Sequence, residues 1–153
     1  MFSVKKKKKI MVIHGPNLNL LGTREPEIYG TDSLKCIDRE IRRYAGSNGI
    51  RVVSYQSNHE GRIIDFLHNN RCGMDGIIIN PAALTHYSIA LRDAVAAIDL
   101  PAVEVHLSDL SKREIFRHHS VLSGICITQI TGLGKTGYLK AVDILADHFG
   151  KER

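Results

Sequence analysis

Short apolar runs alternate with amphipathic stretches along the chain. The apolar runs are rich in Val and Ile and are bounded by Gly, Pro or polar residues, which is typical of β-strands. They predict strands at Lys9–Ile13, Ile50–Tyr55, Gly76–Asn80, Ala102–His106 and Ile125–Ile130. The middle run is apolar at every position from 77 to 79, which indicates a strand buried on both faces of a sheet.

The amphipathic stretches between these runs predict helices. In one of them, apolar residues recur every three or four positions at Leu34, Ile37, Ile41 and Tyr44, behind a cap at 31–33. The other predicted helices are an apolar stripe at 63–67, a segment that Thr85 caps and that runs to about Ile98, a short helix at Lys112–His118 and a closing helix at Tyr138–Phe149.

The alternation of strand and helix predicts the fold class. Parallel strands joined by right-handed crossovers are the usual result of such an order. We therefore predict an α/β fold, namely a flavodoxin-like, five-stranded parallel sheet with helices on both faces. Half of a nucleotide-binding Rossmann pair is the alternative. The 153 residues contain no repeat or low-complexity linker, so residues 10–153 are predicted to form a single domain behind a basic tail at 1–9.

The basic tail accounts for the charge of the chain. The net charge is +5, and the five consecutive lysines Lys5–Lys9 carry all of it. A basic run at a chain end is usually solvated, and no basic helix with interleaved aromatics follows, so we predict no nucleic-acid partner. No apolar segment is long enough to predict a membrane span or a signal peptide. Three cysteines without a CxxC pair are typical of free thiols, and we predict a cytoplasmic protein.

An unusually long connection follows the first strand. Residues 14–30, HGPNLNLLGTREPEIYG, exceed the ~12 residues beyond which loops tend to be functional or disordered. Leu18, Leu21, Ile28 and Tyr29 make this stretch too apolar for disorder. The pattern therefore predicts an ordered loop with a function.

Polar side chains collect where the predicted strands end. The strand ends read HGPN at 14–17, QSNHEG at 56–61, NP at 80–81, EVHLS at 104–108 and TGLG at 131–134. Ligands of such sheets bind outside the carboxyl ends of the strands, so we predict a site at this edge. Glu104 and His106 lie two residues apart and face the same side of a strand, where a carboxylate can orient an imidazole for acid–base chemistry.

Several other site types fit the sequence less well. A phosphate-binding P-loop before Lys135 would need a glycine where Gln129 stands. No histidine pair has zinc-binding spacing around a Glu, and no Gly-x-Ser-x-Gly nucleophile motif is present. The polar residues that remain favour proton transfer on a small polar molecule.

Several blocks of the sequence, taken together, resemble the type II 3-dehydroquinate dehydratase family. They are HGPNLNLLGTREPEIYG at 14–30, QSNHEG at 56–61, NPAALTH at 80–86, LRD at 91–93, EVH at 104–106, REIFR at 113–117 and GLGKTGY at 132–138. The chain departs from the family pattern at Ala82 and Leu84, where the family often has Gly and Tyr. Cys126 and Thr128 likewise replace small residues in the last strand.

The resemblance implies an anti elimination of water from 3-dehydroquinate that gives 3-dehydroshikimate through an enolate. It implies Tyr29 as the base, Arg24 as its electrostatic partner, and His106 as the acid that Glu104 orients. Asn17 would stabilise the enolate through an ordered water.

The resemblance also implies how the substrate is held and how the protein assembles. The residues that match substrate contacts are Asn80, His86, Leu107, Ser108 and Arg117, and Asp93 matches a residue that reaches a neighbouring subunit's site. The family uses no metal or cofactor and assembles as a dodecamer built from four trimers.

The chemistry of tyrosine agrees with these roles. A phenol titrates near ~10, so a tyrosine base at neutral pH needs a cation beside it. Arg24 lies on the same loop as Tyr29 and keeps its charge. We therefore predict that the 14–30 loop is a lid over the active site. The alternatives are a flavodoxin-like binding module for a small anion or flavin phosphate, and a nucleic-acid adaptor that uses the lysine tail.

Overall fold

Five parallel strands form one sheet in the computed structural model, which describes residues 7–151. The strands are β1 (Lys8–His14), β2 (Ile50–Gln56), β3 (Gly76–Asn80), β4 (Ala102–Val105) and β5 (Thr128–Ile130). Their spatial order is β2-β1-β3-β4-β5, with every neighbouring pair parallel. This is the flavodoxin-like order, so the predicted fold class is confirmed.

In the described part of the chain, five α-helices accompany the sheet. They are α1 (Pro26–Tyr29), α2 (Leu34–Ser47), α3 (Glu60–Asn70), α4 (Ile89–Ile98) and α5 (Thr136–Lys151). Short 3-10 turns lie at Leu18–Leu20, Ala82–His86, Leu110–Lys112, Ile115–Arg117 and Ser123–Ile125. None of the helices within residues 7–151 is long and apolar enough to cross a membrane.

Alternating side chains of the central strands build a core on each face of the sheet. One core packs strand residues against α2 and α5, and it contains Ile10, Val12, Ile78, Val103, Ile37, Ile41, Ala141 and Leu145. The other packs strand residues against α3 and α4, and it contains Met11, Ile13, Ile77, Ile79, Ile63, Leu67, Leu91 and Val95. Helices therefore cover both faces, as the apolar middle strand predicted.

Two helix predictions are wrong. Thr85 does not cap α4, because it lies fully buried in the 82–86 turn and its hydroxyl donates to the Glu104 carboxylate. Ser88 is the cap, and its Oγ accepts a hydrogen bond from the Leu91 N–H at 3.0 Å. The predicted helix at Lys112–His118 is instead two 3-10 turns, at Leu110–Lys112 and Ile115–Arg117.

Strand β1 begins inside the segment predicted as a basic tail. Lys5 and Lys6 lie outside the described residues, but Lys8 and Lys9 belong to β1. The Lys8 ammonium lies 3.1 Å from the Asp75 carboxylate, and that carboxylate also accepts the Lys9 N–H at 2.8 Å. Asp75 precedes the neighbouring β3, so these contacts extend the strand pairing into the lysine run.

Candidate active site

A cleft opens at the carboxyl ends of β1, β3 and β4, where the sequence predicted a site. Its volume is about 720 Å³ when the part open to solvent is included. The cleft is lined by Pro16, Asn17, Leu18, Leu21, Arg24, Tyr29, Asn80, Ala82, Ala83, His86, His106, Leu107, Ser108, Leu110, Arg113 and Arg117. Nine of the eleven residues predicted for the site are among them.

The 14–30 loop is fixed by two buried leucines and by a close approach of its backbone at Gly22 to Thr31. Leu18 and Leu21 are buried in the core on the α2 and α5 side. Gly22 has φ +89°, and a β-carbon there would come 3.1 Å from the Thr31 carbonyl oxygen, so only glycine fits comfortably. The loop is therefore ordered, and its outer part carries Arg24 and Tyr29 to the cleft.

The hydrogen-bond donor to Tyr29 is Arg113, which the sequence did not predict as a site residue. The Arg113 Nη1 donates to the Tyr29 hydroxyl at 3.1 Å and lies 3.4 Å from the Ser108 Oγ. The Arg24 guanidinium carbon lies 5.5 Å from the centre of the Tyr29 ring, while its Nε pairs with Glu25. The hydrogen bond with Tyr29 raises the pKa of the Arg113 guanidinium further. The sequence feature that could have identified Arg113 as a site residue is its position in the REIFR block at 113–117.

His106 and Glu104 form the predicted carboxylate–imidazole pair. The His106 Nε2 lies 2.7 Å from the Glu104 Oε1, and both side chains are buried. The carboxylate also accepts hydrogen bonds from the Thr85 hydroxyl and, at 2.9 Å, from the Ser120 hydroxyl. Burial opposes ionisation, but the hydrogen bonds and charge of His106, with the two hydroxyls, hold the pKa of Glu104 below its ordinary value. Glu104 lies behind His106 and does not line the cleft.

The predicted substrate contacts are held by groups that sequence reasoning did not identify. The His86 Nδ1 donates to the His119 carbonyl at 2.7 Å, so the Nε2 of His86 is the ring nitrogen that can meet a ligand. Burial lowers the pKa of His86. The Arg117 Nε donates to the Glu114 carboxylate at 3.0 Å, and the same carboxylate lies 3.3 Å from the Arg113 Nε. Glu114 thus tethers two cleft arginines at once.

Asp93 lies outside the cleft of its own chain. It is on α4 with 67% of its side chain exposed, beside the Arg92 guanidinium at 3.3 Å. The structure of one chain therefore brings together all the predicted substrate contacts except this one.

The donor set of the cleft is suited to acid–base chemistry. A phenol beside a guanidinium and an imidazole beside a buried carboxylate line the same apolar-walled space. Within residues 7–151, no group of three or more His, Cys, Asp or Glu side chains is arranged to hold a metal ion. Cys36, Cys72 and Cys126 are free thiols.

The fold and the cleft define a flavodoxin-like α/β protein with an acid–base site at the carboxyl edge of its sheet. A sequence model of the class II dehydroquinase family matches residues 8–146. The chain therefore belongs to the class II dehydroquinase family. This membership replaces the alternatives of a flavin-phosphate binding module and a nucleic-acid adaptor.

Individual relatives agree with this assignment. The chain is 59% identical to a 3-dehydroquinate dehydratase of Halothermothrix orenii, over 91% of this chain and 94% of the relative. It is 54% identical to the one of Carboxydothermus hydrogenoformans, over 92% and 91% of the two chains. The crystal structure of type II dehydroquinase from Butyrivibrio crossotus superposes with a TM-score of 0.88 at 49% identity, over 90% and 97%. That from Propionibacterium acnes has the same TM-score at 41% identity, over 92% and 97%.

Proposed function

We propose that the protein removes water from 3-dehydroquinate to give 3-dehydroshikimate, by anti elimination through an enolate in the shikimate pathway. The observation that carries this proposal is that Tyr29, bonded to Arg113, and His106, bonded to Glu104, line one cleft. One pair can take a proton and the other can give one, which is what the elimination requires.

Tyr29 acts as the base that takes the proton alpha to the ketone. Its phenolate needs a nearby positive charge at neutral pH, and guanidinium groups keep theirs. Arg113 donates directly to the hydroxyl, and Arg24 lies near the ring face. We infer that Arg113 stabilises the phenolate through a hydrogen bond and that Arg24 adds a longer-range field.

His106 acts as the acid that protonates the departing hydroxyl. Its Nε2 is bonded to Glu104, so the proton for the leaving group comes from Nδ1. The ionised, fully buried Glu104 stabilises the imidazolium and fixes the ring orientation. The proton and the hydroxyl leave together as water, and the enolate collapses to the conjugated enone.

The remaining polar groups hold the substrate. Asn17 stabilises the enolate oxygen through a water, while Asn80, His86, Ser108 and Arg117 contact the hydroxyl and carboxylate groups, and Leu107 completes the wall. Asn17 adopts a left-handed conformation with φ 68°, and its N–H donates to the Asn58 Oδ1 at 2.9 Å, which supports a fixed orientation.

We further propose that the protein is cytoplasmic and assembles as a dodecamer of four trimers, in which Asp93 reaches a neighbouring subunit's site. Tyr87 and Ile89, close to Asp93 in sequence, leave more than half of their surface exposed, which supports burial of this region by another subunit. Light scattering coupled to size-exclusion chromatography tests the assembly, and a monomer would contradict it.

The activity is tested by the ultraviolet absorbance of the conjugated enone carboxylate formed from 3-dehydroquinate. We expect the wild type to be active and Tyr29→Phe to be nearly inactive. The control is Tyr55→Phe, because Tyr55 stacks on Phe66 at 4.2 Å, in the core on the α3 and α4 side. An inactive wild type, or an active Tyr29→Phe, would contradict the proposal.

Single and double mutants distinguish the roles of Arg113 and Arg24. If Arg113 acts through the phenolate, adding Arg113→Ala to Tyr29→Phe should cost almost nothing further in kcat/KM. Arg24→Ala should depress activity less than Arg113→Ala, because Arg24 makes no hydrogen bond to the hydroxyl. Additive losses for Arg113 would mean that it serves substrate binding alone.

A further inference from the structure

A buried chain of hydrogen bonds runs from helix α2 to the floor of the cleft. The Asp38 carboxylate lies 2.9 Å from the His14 Nε2, and the His14 Nδ1 lies 3.0 Å from the Tyr138 hydroxyl. The Asn80 Nδ2 in turn donates to that hydroxyl at 3.2 Å. His14 and Tyr138 are fully buried, and of the four side chains only Asn80 lines the cleft.

The groups at the two ends of this hydrogen-bond series, Asn80 and Asp38, determine which atom donates and which accepts in each bond. The backbone N–H of Ala82 donates to one side-chain atom of Asn80 at 3.1 Å, so that atom is the oxygen and the other is the nitrogen. The Tyr138 oxygen therefore accepts from Asn80. Because Tyr138 is fully buried, its own hydrogen needs an acceptor within the protein, and the His14 Nδ1 at 3.0 Å is that acceptor. At the far end the carboxylate can only accept, so the His14 Nε2 carries the proton.

Both ends thus require the same neutral form of His14, with its proton on Nε2. In this arrangement the Asn80 oxygen is occupied by Ala82, and one of its two amide hydrogens is occupied by Tyr138. The second amide hydrogen is the group that Asn80 has left for a ligand in the cleft. An unanchored Asn could turn over and offer its oxygen instead.

We propose that Tyr138, His14 and Asp38 are positioning residues that make Asn80 present an N–H donor to the cleft and so select an oxygen acceptor on the substrate. None of the three lines the cleft, and they act only through Asn80. The proposal rests on the proposed dehydratase function, since it concerns how that substrate is held.

The first test is Tyr138→Phe, which removes the hydroxyl and keeps the ring in the core. We expect KM for 3-dehydroquinate to rise roughly tenfold and kcat to change by less than about threefold, because a buried partner of a binding group is lost. The matched control is Tyr44→Phe. The Tyr44 hydroxyl bonds Asp143 at 2.9 Å and joins the same helices, α2 and α5, away from the cleft. Its loss should lower stability without changing KM.

Asn80→Ala tests whether Tyr138 acts through Asn80. In the Asn80→Ala background, Tyr138→Phe should leave KM unchanged, whereas independent roles would give additive increases. Asn80→Asp replaces the amide donor by an acceptor, so it should raise KM more than Asn80→Ala. Additive effects, or a smaller increase for Asn80→Asp, would overturn the proposal.

A rescue experiment with His14 keeps the proposal testable if Tyr138→Phe fails to fold. His14→Ala should raise KM, and His14→Asn should recover most of that loss because its amide oxygen can accept the Tyr138 hydroxyl near the position of Nδ1. Equal KM values for the two variants would overturn the proposal. An inactive wild type would contradict the proposed function instead, so the two failures are distinguishable.

Discussion

His14 and His106 stand at the ends of two strands, are both buried, and each pair through Nε2 with a carboxylate, at 2.9 Å and 2.7 Å. Only His106 lines the cleft. The other nitrogen of His14 is occupied by the Tyr138 hydroxyl, whereas the His106 Nδ1 has no hydrogen-bond partner within residues 7–151. The presence of a histidine bonded to a carboxylate is therefore not sufficient for catalysis. Catalysis also needs a ring nitrogen that is left for the substrate.

The carboxylates of the two pairs, Glu104 and Asp38, also differ in burial and in their hydrogen bonds. Glu104 has no exposed surface and accepts hydrogen bonds from Thr85 and Ser120 as well as His106, so it is held in one position behind His106. Asp38 comes from helix α2, keeps 17% of its side chain exposed, and reaches His14 across the edge of the core. Under the proposed function, the Glu104–His106 pair supports the chemistry and the Asp38–His14 pair supports a binding residue.

The largest expected effect distinguishes the two histidines. His106→Ala should lower kcat by ~10²–10⁴ with KM nearly unchanged, as for a lost general acid. His14→Ala should act mainly on KM and lower kcat far less, because its ring does not reach the cleft. Steady-state kinetics with 3-dehydroquinate measure both. Similar losses of kcat in the two variants would contradict the different roles assigned to His106 and His14.

A smaller effect is expected at the carboxylates. Glu104→Gln should lower kcat by ~10–100-fold, because a hydrogen bond to a charged partner contributes about 1.5–3 kcal/mol. Asp38→Asn should lower kcat less, since its amide oxygen can still accept from the His14 Nε2–H. If Asp38→Asn proves the more damaging for kcat, the assignment of roles is reversed.

Acid should weaken both pairs. The pKa of Glu104 is held below its ordinary 4.5, chiefly by His106 acting against burial. The pKa of Asp38 is likewise held below 3.8, where burial acts in the opposite direction to the hydrogen bond from His14. Groups with depressed pKa values stabilise the fold at pH values above their ordinary range, and that stability is lost as the pH falls through the folded values.

Urea unfolding from neutral pH down to about pH 3 measures this loss. Glu104→Gln and Asp38→Asn should each flatten the fall of the unfolding free energy below about pH 4.5. A variant whose curve parallels the wild type would show that its carboxylate is not linked to folding.

The smallest expected effect concerns the backbone beside Asn80. Ala82 has φ +51°, a left-handed conformation that costs a non-glycine residue roughly 1–2 kcal/mol. Ala82→Gly removes this strain but increases the entropy of the unfolded chain, so we expect a gain of up to about 1 kcal/mol. Thermal unfolding measures it, with Ala83→Gly as the control that should destabilise.

The strands and the place of the site were predictable because they depend on local patterns. Apolar runs of Val and Ile predicted the five strands, although β5 begins at Thr128 and not at Ile125, which lies in a 3-10 turn. Polar strand ends located the cleft. The wrong cap at Thr85 has a physical cause. A threonine before a helix looks the same in sequence whether its hydroxyl caps that helix or bonds a carboxylate, and here it bonds Glu104. Arg113 was missed for a similar reason, since its partner Tyr29 lies far away in sequence.

The sequence by itself determined the fold class, the edge of the sheet that carries the site, and the residue types available for acid–base chemistry. Periodicity and strand-end composition act within a few residues, and so they can be read from the chain alone. The tertiary structure decided which arginine meets Tyr29, which hydroxyls hold Glu104, and which histidine keeps a nitrogen for the cleft. These choices depend on directional contacts of a few ångströms between residues distant in sequence, and only the folded chain brings them together.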